Sequence, residues 1–301
     1  MHFSRLFLFA AGLSPLLRAI PLSEFPLGVT TDEIDDDLAR AIAFLREFSL
    51  RFAEFRRVCG QYNTSLPLDR VREARRMLDE AGIRLAILDT EFFRIPLPPD
   101  TAGGRAVFDN QWALLDQAME RAAILGTDKL RTFAFLREKG EEKGDPSLYP
   151  RIYELVAESA RHASRRNFRL AIENLGAGYV STGTESAAML KAVREPNLGL
   201  TWDPNNAGSR GERSFPDGYR LLDPARVFHV HLRDYRRNVQ GEYEWCPVGQ
   251  GEFDNLGQIR ALRRDGYRGT WSLETHWKSP QGKEHASRTS LAALLKVVAQ
   301  V

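Results

Sequence analysis

Glu173, Asp203, His231 and Glu274 are the side chains of this sequence best placed to do chemistry together. Each lies at or near the end of a short apolar run: Ala171-Ile172-Glu173-Asn174, Thr201-Trp202-Asp203-Pro204, Val227-Phe228-His229-Val230-His231-Leu232 and Ser272-Leu273-Glu274-Thr275. A carboxylate that follows an apolar segment faces a desolvation penalty unless it is paired or metal-bound. Three carboxylates crowded together raise one another's pKa, and a divalent cation removes that conflict. Three hard oxygen donors and one imidazole suit one divalent ion, Mn2+ first, with Mg2+, Co2+ and Zn2+ as alternatives. For any one of these residues an arginine partner is the plainer reading; four in succession favour the metal.

The elements that must position them follow from periodicity. From Pro26 onward short apolar runs alternate with longer amphipathic stretches. Strands are expected at 27–30, 51–55, 83–88, 128–133, 169–173, 198–203, 227–232 and 269–274. Helices are expected at 34–48, 68–81, 106–125, 149–166, 184–193, 215–222, 255–265 and 286–299, several closed by a glycine such as Gly82, Gly126 or Gly266. Eight strand–helix units argue for an α/β protein, a single (β/α)8 TIM barrel over 26–301. An open doubly wound sheet is the competitor, but no GxGxxG or GxxxxGK[ST] follows the first strand. In a barrel the ends of strands five to eight meet at one rim, where active sites are built. The irregular stretch 236–251 is long enough to be a lid at that rim.

Composition sets the outer limits. The chain has 301 residues, 43% of them apolar, which is ample for one large core and rules out disorder. A net charge of +2 gives no basis for a nucleic-acid partner or an anionic membrane surface. Cys59 and Cys246 make neither a disulfide framework nor a CxxC metal site. At the N-terminus Arg5 precedes the apolar run from Leu6 to Leu17, with a small residue, Ala19, after it. This reads as an export signal over 1–19, which would make the mature protein periplasmic or secreted; without it the protein would be cytoplasmic.

The strand ends are recognisable as a set. Ile172-Glu173-Asn174, Trp202-Asp203-Pro204, His229-Val230-His231-Leu232-Arg233-Asp234 and Leu273-Glu274-Thr275-His276 resemble the motifs of the xylose-isomerase-like TIM-barrel family of sugar isomerases and epimerases. The segment Pro247-Val248-Gly249-Gln250-Gly251-Glu252-Phe253-Asp254 resembles that family's loop before helix seven. The resemblance covers roughly 28–295. It implies that Glu173, Asp203, His231 and Glu274 are the metal ligands, and that Glu173 and Glu274 double as the acid/base pair on opposite faces of a small carbohydrate substrate. The chemistry is coherent: a metal on the carbonyl and hydroxyl oxygens stabilises an enediolate while one glutamate removes a proton and the other returns it. The oligomeric state stays open, with a homodimer or homotetramer as candidates.

Two positions depart from the family pattern. Many members carry Asp-x-x-His after strand six, and here the fourth position is Asn206, which orients a hydroxyl but cannot act as a base. Many carry His-x-Lys-Asp on strand seven, and here Arg233 replaces the lysine with a permanently charged fork for carboxylate or phosphate. Asn206, Arg233, His276, Glu54 and Arg131 are the candidate substrate contacts; Glu91 near the end of strand three is a further one. For Glu54, Glu91 and Arg131 a rim salt bridge is the competing role. His229 shares a strand face with His231 and is read chiefly as a hydrogen-bonded interior residue. Trp202, Trp245 and Trp277 are candidate pocket walls, with packing favoured for Trp202. Lys278, Arg236 and Arg237 read as solvated.

Four activities compete. The first is a sugar, sugar-acid or sugar-phosphate isomerase or epimerase. The second is a lyase at the same site, a polyol or keto-inositol dehydratase in which the α-proton leaves and then a β-hydroxyl. A nuclease would need histidines on the early strands, yet none occurs between His2 and His162. A non-catalytic sugar-binding protein has no need of this carboxylate set.

Overall fold

The computed structural model describes residues 25–141 and 143–301. The segment 1–19, read above as an export signal, lies outside the described residues.

Eight strands form one parallel sheet: β1 Leu27–Val29, β2 Phe52–Phe55, β3 Arg84–Asp89, β4 Lys129–Thr132, β5 Arg169–Glu173, β6 Leu198–Trp202, β7 Val227–Leu232 and β8 Thr270–Leu273. The hydrogen-bonded order is β1-β8-β7-β6-β5-β4-β3-β2. A parallel bridge between Thr30 and Glu54 brings β1 and β2 together, so the sheet curls into a nearly closed barrel. Gly28 permits this closure: a Cβ there would stand 2.9 Å from the backbone carbonyl of Phe52. The helices α1 Leu38–Glu47, α2 Leu68–Glu80, α3 Ala102–Leu125, α4 Tyr149–Ser164 and α5 Gly183–Ala192 cover the outside, as do α7 Asn255–Arg264 and α8 Lys283–Val298, whereas the short α6 Pro204–Ser209 is buried at the end of β6. The expected single (β/α)8 barrel is the observed fold.

Local chemistry explains the element ends. The Asp37 carboxylate accepts from the Ala39 amide at 2.8 Å and caps α1. Thr182 and Glu185 form a reciprocal capping box on α5. Gly126 closes α3 at φ +78, where a Cβ would be strained. The apolar faces meet the outer surface of the sheet: Leu38, Ala41, Ile42 and Leu45 of α1 are buried, as are Leu291, Leu294 and Val298 of α8. Among the described residues no helix is long and apolar enough to cross a membrane.

Two expectations need correction. The helix expected at 215–222 is a π turn, Ser214–Gly218, followed by a 3-10 turn, Tyr219–Leu221. The α-helix of this unit is α6, which starts directly after β6 because Asp203 accepts from the Asn205 and Asn206 amides and Pro204 occupies the first turn. The stretch 236–251 is not wholly irregular: Asp234–Arg237 and Tyr243–Cys246 pair as an antiparallel hairpin over the rim.

Candidate metal centre

The four strand-end residues converge. One ligand atom from each of Glu173, Asp203, His231 and Glu274 lies within 4.8 Å of every other, and all four residues are buried. His231 is the hub. Its Nδ1 stands 3.7 Å from Glu173 Oε1, 3.7 Å from Asp203 Oδ2 and 3.3 Å from Glu274 Oε2. This nitrogen makes no hydrogen bond. A buried imidazole nitrogen facing three carboxylate oxygens without bonding to any of them is a donor set of the kind a single divalent ion collects. The residues present therefore fit such an ion.

His231 Nε2 is hydrogen-bonded to Glu54 Oε1 at 2.9 Å, and His229 Nε2 to Glu54 Oε2 at 2.9 Å. Glu54 is fully buried. Burial opposes its charge, yet the His231 and His229 imidazoles hold its carboxyl well below the usual range. The expectation that Glu54 contacts a sugar is thereby corrected: both its oxygens are spent inside the barrel, beneath the rim. A register shift between Ala53 and Glu54 accompanies this placement. Below it the polar chain continues, with His229 Nδ1 on Thr270 Oγ1 at 2.7 Å and Lys129 Nζ donating to the same hydroxyl at 2.7 Å. Burial pushes His229 down to about 4, so it stands neutral.

Arginines supply the countercharge. Arg131 binds Glu173 Oε2, lies 3.1 Å from Asp89 Oδ2 and donates to the Tyr62 hydroxyl at 3.4 Å. Arg56 donates to Glu274 Oε1 at 2.7 Å and also holds Asp32 and Glu33. Arg233 binds Asp203 Oδ2, with its guanidinium 3.9 Å from the Trp245 ring centroid. Glu173 is held at about 2: burial raises it, and Arg131 with His231 more than reverses that. Glu274 lies well below its ordinary value, against burial, through His276 and His231.

The remaining candidates separate cleanly. Asn206 Nδ2 donates to Glu173 Oε1 at 3.2 Å. Asn206, Arg131, Arg233, His276, Trp245, Arg56 and Arg94 line a cavity of about 220 Å3 together with Glu173 and Glu274. His276 also contacts Glu33, with Nδ1 3.1 Å from Oε1. Arg56 and His276 are shared with an outer cleft of about 910 Å3 that Trp277 and Lys278 border. Trp202 is packed, its indole N–H on Gln258 at 3.2 Å. Arg236 pairs with Glu244 on the exposed hairpin, away from the cavity. Glu91 is exposed beyond the end of β3, and the buried carboxylate of that strand is Asp89.

Sequence reasoning missed Arg56, Asp89, Arg94 and two organising residues. Asn174 clamps the ends of β5 and β6: its Oδ1 accepts from the Asp203 amide at 2.7 Å and its Nδ2 donates to the Asp203 carbonyl at 2.7 Å. Asp234 accepts from the amides of Gly249 at 2.8 Å, Gly251 at 3.2 Å and Phe253 at 3.1 Å, which fixes the loop before α7. Both residues sit inside motifs noted in the sequence, so the motifs position the cluster as well as supply its donor atoms.

Fold and site together define a class: a TIM barrel that presents three carboxylates and an imidazole, suited to a divalent ion, at its C-terminal rim. A model of the xylose isomerase-like TIM barrel family matches residues 42–297, and the chain belongs to that family. It is 26% identical over 172 residues to a mannonate dehydratase of Saccharophagus degradans; the match takes in 56% of this chain and 40% of that protein, so the chain spans about two fifths of this relative's length. Its fold matches the IOLI protein crystallised with a zinc atom, at a TM-score of 0.73 and 19% identity over 92% of this chain and 99% of that one. It also matches a D-allulose 3-epimerase from Methylomonas sp. in complex with D-allulose, at a TM-score of 0.66 and 19% identity over 90% of each chain. The relatives thus include an epimerase and a dehydratase.

Proposed function

We propose that this chain is a metal-dependent isomerase or epimerase of a small carbohydrate, acting by removal of a proton from the carbon next to a carbonyl. The observation that carries the reading is the unbonded His231 Nδ1 facing Glu173, Asp203 and Glu274. These four residues would hold one divalent ion, Mn2+ on donor chemistry. When bound, that ion would stabilise the negative charge that develops on the substrate oxygens as the proton leaves. Glu173 and Glu274 stand ionised at neutral pH, which is the form that accepts a proton. They approach the site from β5 and β8, with β6 and β7 between them. Removal by one and return by the other inverts a carbon; return to the neighbouring carbon moves the carbonyl. Asn206 and Arg233 orient substrate oxygens, and Trp245 walls the cavity.

A dehydratase is the second reading, favoured by the likeness in sequence to a mannonate dehydratase. The first half of the reaction is shared, and loss of a β-hydroxyl replaces the return of the proton. Elemental analysis of the purified protein, followed by product analysis on a panel of ketoses, sugar acids and inososes, tests both readings. One equivalent of metal is expected, lost in Glu173→Gln and Glu274→Gln, with turnover reduced by about 10²–10⁴. Dehydrated product alone would replace the isomerase reading with the lyase; a protein with no affinity for divalent metal would overturn both.

A further inference from the structure

The cavity beside the metal cluster is lined by Arg56, Arg94, Arg131 and Arg233. Guanidinium groups donate to any oxygen acceptor, but their permanent charge and planar fork match carboxylate and phosphate best. Two features show that these arginines are not all consumed by their protein partners. Arg233 is 2% exposed, yet its Nε and Nη1 have no hydrogen-bond partner. Nη1 stands 3.6 Å from Glu274 Oε2, which places it at the edge of the cluster. Buried charged donors without acceptors are costly and mark a place where an acceptor belongs. Arg94 is the complementary case. It is exposed, on the loop after β3, and has no carboxylate partner among the described residues. Its guanidinium lies 5.7 Å from the Phe133 ring centroid, and Arg131 lies 4.8 Å from the same ring. Arg131 Nε is likewise buried and unbonded.

We propose that the substrate is an acid, and that its carboxylate is received in this cavity by Arg94 at the mouth and Arg233 at the floor. The inference rests on the reading of the site as a metal-dependent carbohydrate enzyme, and it narrows the substrate class from sugars in general to sugar acids. Arg94 supplies attraction from solvent, and Arg233, stacked on Trp245, supplies fixed donors once the anion is desolvated. The arrangement favours acids over neutral ketoses, whose hydroxyl oxygens can accept from Arg233 but bring no charge to match it.

The test uses the metal-loaded protein and matched probes. Calorimetric titration compares five- and six-carbon sugar acids with the polyols of the same carbon skeleton, and with inorganic phosphate. The acids are expected to bind about tenfold or more tightly than their polyols, with the advantage shrinking as salt is raised. In Arg94→Gln the acids fall toward the affinity of the polyols, and Arg94→Lys recovers part of the loss. Metal content and melting temperature stay as in the parent protein, because Arg94 is exposed and touches none of the cluster. Equal binding of acids and polyols, or no binding of either, overturns the proposal. Phosphate that displaces the acids and depends on Arg94 more strongly than they do overturns the carboxylate assignment. A protein that holds its metal and turns over neutral ketoses without acid preference defeats this inference and leaves the functional reading standing; one that holds no metal defeats that reading, and the acid preference is then read on the metal-free protein.

Discussion

Replacing Glu54 by glutamine is the sharpest test of how the site is held. Glu54 is fully buried and receives His231 Nε2 and His229 Nε2 at 2.9 Å each. Its negative charge fixes the proton of His231 on Nε2 and leaves Nδ1 to face the three carboxylates. A glutamine has one acceptor and one donor end. Its oxygen can serve His231 while its amide faces His229, since His229 can instead donate from Nδ1 to the Thr270 hydroxyl 2.7 Å away. The fold can therefore survive, but a charge-assisted bond becomes a neutral one. The former contributes roughly 1.5–3 kcal/mol and the latter about 0.5–1.5 kcal/mol. The difference corresponds to about tenfold in metal affinity. Molecules in which the amide turns toward His231 carry the Nδ1–H tautomer, which raises the loss toward about 100-fold. Competition of Mn2+ with a chromophoric chelator measures this, with thermal unfolding of the metal-free variant as the check on folding. A sugar-contact role for Glu54 makes the opposite forecast, a raised KM with unchanged metal affinity. That result in a folded Glu54→Gln protein would refute the positioning argument.

Two further perturbations follow from buried charge and close packing. In the metal-free protein, burial holds His229 down at about 4, so the unfolded chain binds the extra proton and stability falls as pH drops from 6.5 toward 4, by up to about 3 kcal/mol. His231 runs the other way. Burial lowers it, but Glu54 and Glu274 raise it well above 6.5, so its contribution is present below 6.5 and is lost as pH rises through its folded value. Metal must displace that proton, so apparent affinity should rise about tenfold per pH unit while His231 is protonated. Urea midpoints across pH 4–9 with and without Mn2+ read both limbs, and a flat metal-free profile would contradict the assignment. Separately, Gly28→Ala should destabilise the fold by about 1–3 kcal/mol, because the added methyl meets the Phe52 backbone at 2.9 Å. An unchanged urea midpoint would show that β1 and β2 can separate at no cost.

The barrel was legible because buried parallel strands read as apolar runs and because surface helices carry their period openly. The convergence of Glu173, Asp203, His231 and Glu274 was legible for a related reason: a carboxylate directly after an apolar run is conspicuous. Arg56 was not, since it sits in an Arg56-Arg57 pair that looks like any solvated turn, and only the fold brings it to Glu274, 218 positions away in sequence. Asp89 was passed over for Glu91 because the chain turns immediately after β3, so the later residue leaves the barrel while the earlier one stays inside. Glu54 was visible as a strand-end carboxylate, but its partners on β7 are named by topology alone. Helix six was misplaced because the capping value of Asp203 was hidden behind its reading as a ligand.

That double use of Asp203 bears on how the cluster is balanced. Each carboxylate has two oxygens, and the structure divides them. Glu173 gives Oε2 to Arg131 and turns Oε1 toward His231; Glu274 gives Oε1 to Arg56 and turns Oε2 toward His231. Asp203 spends Oδ1 on the amides of Asn205 and Asn206, so Oδ2 is left both for His231 and for Arg233. Arg131 and Arg56 thus brace their glutamates from behind, and the inward Oε1 of Glu173 accepts only the neutral Asn206 side-chain amide, at 3.2 Å. Of the three arginines, Arg233 is the one that binds an inward oxygen, Asp203 Oδ2. An ion held by this cluster would compete with Arg233 for Asp203 Oδ2. A lysine at this position would offer a compact ammonium with three donors on a flexible stem, whereas arginine offers a planar fork, here 3.9 Å from the Trp245 ring centroid. Arg233 therefore leaves the four-residue donor cluster intact and places a fixed cation next to it, which is where an acidic substrate would gain more than a neutral one.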